Sequence, residues 1–475
     1  MGHQGEMMRL SSLLHVTGLL FAFVLAFGGA PVCAGPTLTG FALLDANTFA
    51  EGPTSGQFIT PNNGITPPFI DKQPVQGFSA VLNGPAAGTY YVMPDNGFGA
   101  NTNSADALLR IYAMKPEFKT ATGGSGAVSP VNFTSGAVLP SFGGSSFISL
   151  RDPDNKLGFP IVASMANYPN GMNNIPVAPA ITAGRLLTGS DFDIESVRRD
   201  KNGNLWFGDE FGPFLIKTDS TGKVLRSEIP LPNLRAIGPN PLVQSPQNPF
   251  LVPGAENLRA SNGFEGMAIN GSGDKLYPLL EGPLIPDSNQ KRLLISEFDI
   301  NAERYTGKTF AYKLEPNGTN IGDMTAVTDH QFLVIERDGG QNTTALFKKI
   351  FLIDIDVLDS DGFVQKTEVV DLLNIADPLD LNGDGSTTFT FPFVTIEDVL
   401  VVDAKTLLVI NDNNYPGGQG RGFGPDNNEF ILIGLADALP VPEHGTWILL
   451  LAGAAGALLT RHVARAVAGS RLDGR

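Results

Sequence analysis

A hairpin with acid at both ends recurs along this chain, and that repeat constrains the fold more than any other feature. Its clearest copy is DFDIESVRRDKNGNLWFGDEFG, residues 191–212. Glu195 opens an extended segment, Asp200-Lys201-Asn202-Gly203 makes the turn, Leu205-Trp206-Phe207 returns, and Asp209 and Glu210 close the unit. Asn-Gly between two strand-like runs is a strong hairpin signal, because both residues accept the positive φ of a tight turn. Glu265 opens FEGMAINGSGDKLYPLLEG and Glu281 closes it; Asp323 opens GDMTAVTDHQFLVIERDGG, closed by Glu336, Arg337 and Asp338. Glu397 opens IEDVLVVDAKTLLVINDNN, closed by Asp412, Asn413 and Asn414. A weaker first copy, GFSAVLNGPAAGTYYVMPDNG, ends on Asp95 and Asn96. The openers 195, 265, 323 and 397 lie 70, 58 and 74 residues apart. Units of this length, all strand and turn, imply an array of similar β-units sharing buried surface.

Composition agrees with that reading. A chain of 475 residues with 55 Gly, 35 Pro and only 17% charged residues suits a large turn-rich β protein. No long stretch keeps apolar residues at a period near 3.6. Residues 37–45 and 429–435 read as strands at opposite ends of the domain, and pairing them would leave no exposed edge. Residues 46–75 and 116–190 are rich in Gly, Pro, Asn and Ser, with one poorly marked unit near 145–190. Five visible units plus that one predict a six-bladed all-β propeller closed by its terminal strands. Seven blades and an irregular β-sandwich assembly are the alternatives.

Several chemistries are excluded. The formal net charge is −16; residues 1–34 balance Glu6 against Arg9, and residues 441–475 set four Arg against Glu443 and Asp473, so the body between carries −18. A surface this acidic disfavours nucleic acid and suits cations. Arg9, the apolar run 16–27 and Val32-Cys33-Ala34 read as an export signal cleaved after Ala34. Its removal takes the only cysteine, so thiol and disulfide chemistry are absent. Of five histidines, only His330 lies in residues 35–440, and it sits in a hairpin turn. Sites built on several imidazoles, and a G-x-S-x-G triad enzyme, are ruled out. What remains is oxygen from Asp, Glu, Asn and carbonyls, the ligands of hard cations such as calcium.

The segments NLWFGDEFGPFLIKTDSTGKVL, GFEGMAINGSGDKLYPLLEG, IGDMTAVTDHQFLVIERDGG and VINDNNYP, with DNGFGANTNSADALLRIY before them, resemble the phytase-like family, "esterase-like activity of phytase", across roughly residues 72–435. The resemblance implies a hydrolase of phosphate or other esters whose repeated acids form the active site. Glu195, Glu265, Asp323, Glu336, Arg337 and Glu397 are then the candidate catalytic residues. Asp95, Asn96, Asp209, Glu210, Glu281, Asp412 and Asn413 are candidate calcium ligands. Bound calcium would polarise a phosphoryl oxygen and activate water, and Arg337 and Arg110 could clamp a phosphate. Asp380, Asn382 and Asp384 match the first half of a calcium loop, but Phe391 stands where an EF-hand needs Glu.

The tail resembles a PEP-CTERM sorting signal: Val441-Pro442-Glu443, an apolar run 448–459, then Arg461 and Arg465. His444 replaces the usual second proline. The expected organisation is therefore a signal peptide (1–34), a propeller (35–440) and a sorting or membrane-anchoring tail (441–475). The expected protein is monomeric and exported to the periplasm, cell surface or matrix, acting on a small ester or phosphate ester. A non-catalytic binding propeller and a calcium-dependent lactonase or esterase are the competing readings.

Overall fold

The computed structural model describes residues 35–169 and 174–441; the expected export signal and sorting tail lie outside them. Five sheets, antiparallel except for one parallel bridge in the fifth, are arranged as the blades of a propeller, and a separate two-stranded sheet pairs Phe49–Glu51 with Lys72–Pro74. The innermost strands of blades 1 to 5 are Phe78–Asn83, Ile194–Arg199, Phe264–Ile269, Asn320–Ala326 and Thr395–Asp403. Each packs on the next, and the fifth returns to the first.

Alternation along the second strands makes this ring. Period-2 geometry sends neighbouring side chains to opposite faces of a sheet. In Gln331–Arg337 of blade 4, Phe332 and Val334 join a core shared with blade 3, while Leu333 and Ile335 join one shared with blade 5. In blade 2, Trp206 packs towards blade 3 and Phe207 towards blade 1. Both faces of every blade are thus buried, and the five seams carry five separate cores.

Closure is as the terminal strands predict. Thr37–Leu44 pairs antiparallel with Asn428–Gly434, from Thr37 opposite Gly434 to Leu44 opposite Asn428, and completes blade 5. The blade count is corrected from six to five. The segment near 145–190 makes no sheet of its own: Phe147–Ser149 adds to blade 1, and a 3₁₀ turn and the short helix Pro179–Gly184 follow. Its apolar residues are scattered rather than alternating, so they fill the seam between blades 1 and 2.

Trp206 is fully buried against Phe298 and donates its indole N–H to Asp200 at 3.0 Å. Trp206→Ala is expected to cost ~3–5 kcal/mol of unfolding free energy, measured by denaturant titration.

Candidate active site at the mouth of the channel

A β-bulge in each inner strand aims one residue at the channel. The register slips at Ser79 in blade 1, Glu195 in blade 2, Glu265 in blade 3, Gly322-Asp323 in blade 4 and Glu397 in blade 5. An unpaired bulge residue escapes the strict alternation of the ladder, which re-aims its side chain. The second strands supply a matching ring. The residue after the one paired with the bulge's predecessor is Asp95, Glu210, Glu281, Arg337 or Asp412, one from each blade. Together with Asp193 and the acidic bulge residues, these line a cavity of about 150 Å³.

Eight carboxylates therefore face one guanidinium: Asp95, Asp193, Glu195, Glu210, Glu265, Glu281, Glu397 and Asp412 around Arg337. The arrangement is lopsided. Arg337 Nη2 lies 2.9 Å from Glu281, 3.1 Å from Glu397 and 3.6 Å from Glu265, on the side of blades 3 to 5. Across the channel, Asp95, Asp193 and Glu195 bring one carboxylate oxygen each within 4.8 Å of one another, with no cation beside them. Buried oxygens of Asp193, Glu210 and Glu265 also lack any hydrogen-bond partner.

Such crowding raises pKa values. Burial and then repulsion by Asp193 and Glu265 hold Glu195 well above the carboxylate range; burial and Glu397 do the same for Glu265, and burial and Asp412 for Asp95. Burial, with Asp412 beside it, pushes Glu397 to about 8. Burial raises Asp412 to about 6, restrained by the amide of Asn414. Two like charges 4 Å apart repel by ~4 kcal/mol at an effective dielectric of 20. Full ionisation therefore requires a compensating charge. The donors are all oxygen and several are unsatisfied, which suits a hard divalent cation, calcium or magnesium. The cavity also has room for an ion with a few waters at ~30 Å³ each.

Of the expected site residues, Glu195, Glu265, Glu397 and Arg337 meet here, with Asp95, Asn96, Glu210, Glu281 and Asp412. The others are corrected. Asp323 lies one position past the bulge residue of its blade, in register with Asp398 rather than Glu397. A one-residue shift changes the face a strand side chain presents. Asp323 pairs with Arg198 at 2.9 Å and accepts the amides of Met324 and Val399. Gly322 holds the opener position, where a Cβ would meet the carbonyl of Ile396 at 1.9 Å. Glu336 precedes Arg337 on a strand and so faces the other way, into Tyr312, the amide of Glu315 and Lys366 at 2.7 Å.

Arg110 is spent on packing: it donates to the Glu51 carbonyl at 2.9 Å and stacks on Phe147. Asp209 supports the site from behind, accepting the amides of Asp193 at 2.9 Å and Gly212 at 2.7 Å. Asn96 lines the cavity, but its oxygen caps the amides of Phe98 and Gly99. Asn413 bridges Gly77, Gln76 and Asp426. Asp380, Asn382 and Asp384 form an outer-edge turn of blade 5, four strands from the channel, with oxygens already accepting Gly385, Asn382 and Ser386 N–H groups.

Sequence reasoning missed Asp193. The signal was present: Asp193-Ile194-Glu195 places two acids two residues apart, the spacing that shares a strand face. It also missed the neutral supports Ser79, Asn262 and Thr395, which donate to Glu397, Glu281 and Asp412 at 3.2, 2.8 and 3.1 Å.

The model of the phytase-like family, "Esterase-like activity of phytase", matches residues 73–415. A curated relative, an uncharacterized secreted protein of Arthroderma benhamiae, is 24% identical over 258 residues, 46% of this chain. The match spans 49% of that relative's length. Among solved structures, regucalcin from Agrobacterium tumefaciens, a calcium-binding protein, aligns over 84% of this chain and 99% of its own at 11% identity and TM-score 0.31. A luciferin-regenerating enzyme aligns over 86% and 97% at 12% identity and TM-score 0.32. A GH43 β-1,3-galactosidase aligns over 80% and 94% at 11% and 0.36.

The raised carboxyl pKa values fix a pH dependence. Groups whose folded pKa exceeds the unfolded value stabilise the fold fully below the unfolded pKa and lose that contribution as pH rises through the folded one. In EDTA, the melting temperature is expected to fall as pH rises from ~4 through about 6, set by Asp412, to about 8, set by Glu397. Calcium at millimolar concentration should abolish the fall, as read by calorimetry.

Proposed function

The chain belongs to the phytase-like family, and from that premise we propose that it is a divalent-cation-dependent hydrolase of ester bonds. The observation that carries the reading is the division of the cavity into two halves. Asp95, Asp193 and Glu195 would hold calcium on one side; Arg337 is fixed among Glu265, Glu281 and Glu397 on the other. The cation, when bound, supplies Lewis acidity towards the substrate oxygen and lowers the pKa of a nearby water.

The chain's own residues do the proton work. Burial raises both Glu265 and Glu397, with Glu397 repelling Glu265 and Asp412 repelling Glu397, so this pair of carboxyls retains a proton near neutral pH. A protonated carboxyl beside an ionised one is the arrangement that general acid–base catalysis uses. Arg337 holds that pair in place and is itself kept charged by its acidic neighbours. It positions carboxylates instead of clamping substrate, and its Nε has no partner.

Export is part of the reading. Residues 1–34 would direct the protein out of the cytoplasm and 441–475 would sort or anchor it. The secreted description of the fungal relative supports export. No helix among the described residues is long and apolar enough to cross a membrane. A purely binding propeller has less support, because buried partnerless oxygens beside a fixed guanidinium exceed what a passive acidic funnel requires.

The test is a panel of carboxyl, lactone and phosphate esters assayed with EDTA and with calcium restored. Activity should vanish in EDTA and return with calcium. Glu195→Gln and Glu265→Gln should each lower kcat by ~10²–10⁴-fold. Glu336→Gln should keep kcat within a few-fold and instead lower the melting temperature. Turnover indifferent to EDTA, or unchanged in both channel variants, would end this reading.

A further inference from the structure

We propose that the preferred substrate is an uncharged ester with a flat apolar arm, and not a phosphate ester; this rests on the hydrolase reading above. The inner cavity opens into a vestibule of about 520 Å³, and the two share Asp95, Gly99, Asp412 and Asn414. A molecule reaching the acids from that side passes through the vestibule.

Its walls carry no Lys and no Arg, whereas two acids, Asp95 and Asp412, stand at its floor. The one guanidinium below is already shared by three carboxylates. With no basic side chain in the vestibule and acids at its floor, an incoming dianion would be attracted only by a cation held below, and the acids around that cation compete for it. A polyphosphorylated substrate would fare worst. Anion sites elsewhere use Arg forks, basic clusters or helix N-termini, and this passage lines itself with none.

Among these polar groups the walls also carry apolar side chains. Ile59, Phe98 and Tyr415 line the vestibule and belong to a packed cluster around Phe69, whose ring lies 6.3 Å from Phe98 and 6.0 Å from Tyr415. The loop that carries Ile59 is fixed to the facing loop: Asn63 donates to the Gly418 carbonyl at 3.0 Å and receives Gln419 Nε2 at 2.7 Å. The amide of Gln57 is anchored on Asp106 at 2.8 Å. A preformed aromatic wall above a polar floor orients an ester with its apolar arm outward and its carbonyl towards the acids. Hydrolysis then balances simply. Water oxygen bonds to the acyl carbon, the acyl–oxygen bond breaks, and the leaving alkoxide takes a proton, giving one acid and one alcohol.

The experiment compares phenyl acetate, methyl acetate, phenyl phosphate and phytate on the full chain with calcium. The expected kcat/KM for phenyl acetate exceeds that for phenyl phosphate at least ~10-fold, and exceeds that for methyl acetate by a similar factor. Phe98→Ala should shrink the phenyl-to-methyl ratio several-fold through KM; Ile59→Ala serves if that variant fails to fold. Asn62→Lys, at the exposed rim, should raise phenyl phosphate turnover relative to phenyl acetate. A ratio of phenyl acetate to phenyl phosphate below ~10, or preference for phytate, with turnover still calcium-dependent, overturns this inference and leaves the hydrolase reading standing. Absence of EDTA-sensitive turnover on all four overturns both.

Discussion

Everything about this molecule answers to one electrostatic constraint: eight carboxyl groups and a single guanidinium buried together at the end of a closed channel. Left ionised, neighbouring acids at contact distance would repel one another by several kcal/mol per pair. A protein marginal by ~5–15 kcal/mol overall cannot hold many such pairs. Raised pKa values, the Arg337 guanidinium, and hydrogen bonds from Ser79, Asn262 and Thr395 relieve part of the strain. The partnerless oxygens of Asp193, Glu210 and Glu265 mark the part that remains. A divalent cation is the simplest agent that satisfies both the charge and the lone pairs.

The scaffold tolerates the cluster because it is rigid in the right direction. Five inter-blade cores and the pairing of the first strand with the last hold the inner strands in a closed ring. Packed interiors resist deformation, so repulsion at the mouth cannot be released by splaying one blade. Blade 4 alone lacks an acid at both positions: Gly322 stands at the opener, where blade 1 also has a neutral residue, Ser79, and Arg337 stands at the closer. Arg337 is what gives the site two chemically different halves. The half near blades 1 and 2 is suited to a cation, and the half near blades 3 to 5 to proton transfer.

Much of this was legible in the chain. The meeting of Glu195, Glu265 and Glu397 was implied only by reading the units as blades and by the family resemblance. The hairpin repeat and the closing role of residues 37–45 follow from local pattern, because turn chemistry and alternation are written residue by residue. Register across a bulge is not. GDM in blade 4 reads like a shifted copy of FEG or IED, and only the pairing of Ile321 with Glu336 reveals that Gly322, not Asp323, takes the opener's place. Likewise Glu336 and Arg337 are adjacent in sequence and cannot share a strand face, an alternation that the end of the run QFLVIER hides behind its charge. The blade count failed for a different reason. Residues 145–190 contribute scattered apolar residues to a seam, and long-range packing of that kind leaves no periodic trace.

Specificity and chemistry are consequently carried by different parts of the chain. The acids sit on the blades, where ring closure fixes them, while the vestibule is built by the loop between the first strand and blade 1, the loop after Pro94 that carries Phe98, and the loop after Asp412. Loops of this kind change without disturbing the sheets that carry a site. On the proposed reading, the same acidic channel beneath a basic vestibule would suit a phosphate ester, and beneath Phe58, Phe98 and Tyr415 it would suit a neutral one. The residues that would then decide between esters lie in loops outside the sheets that carry the acids.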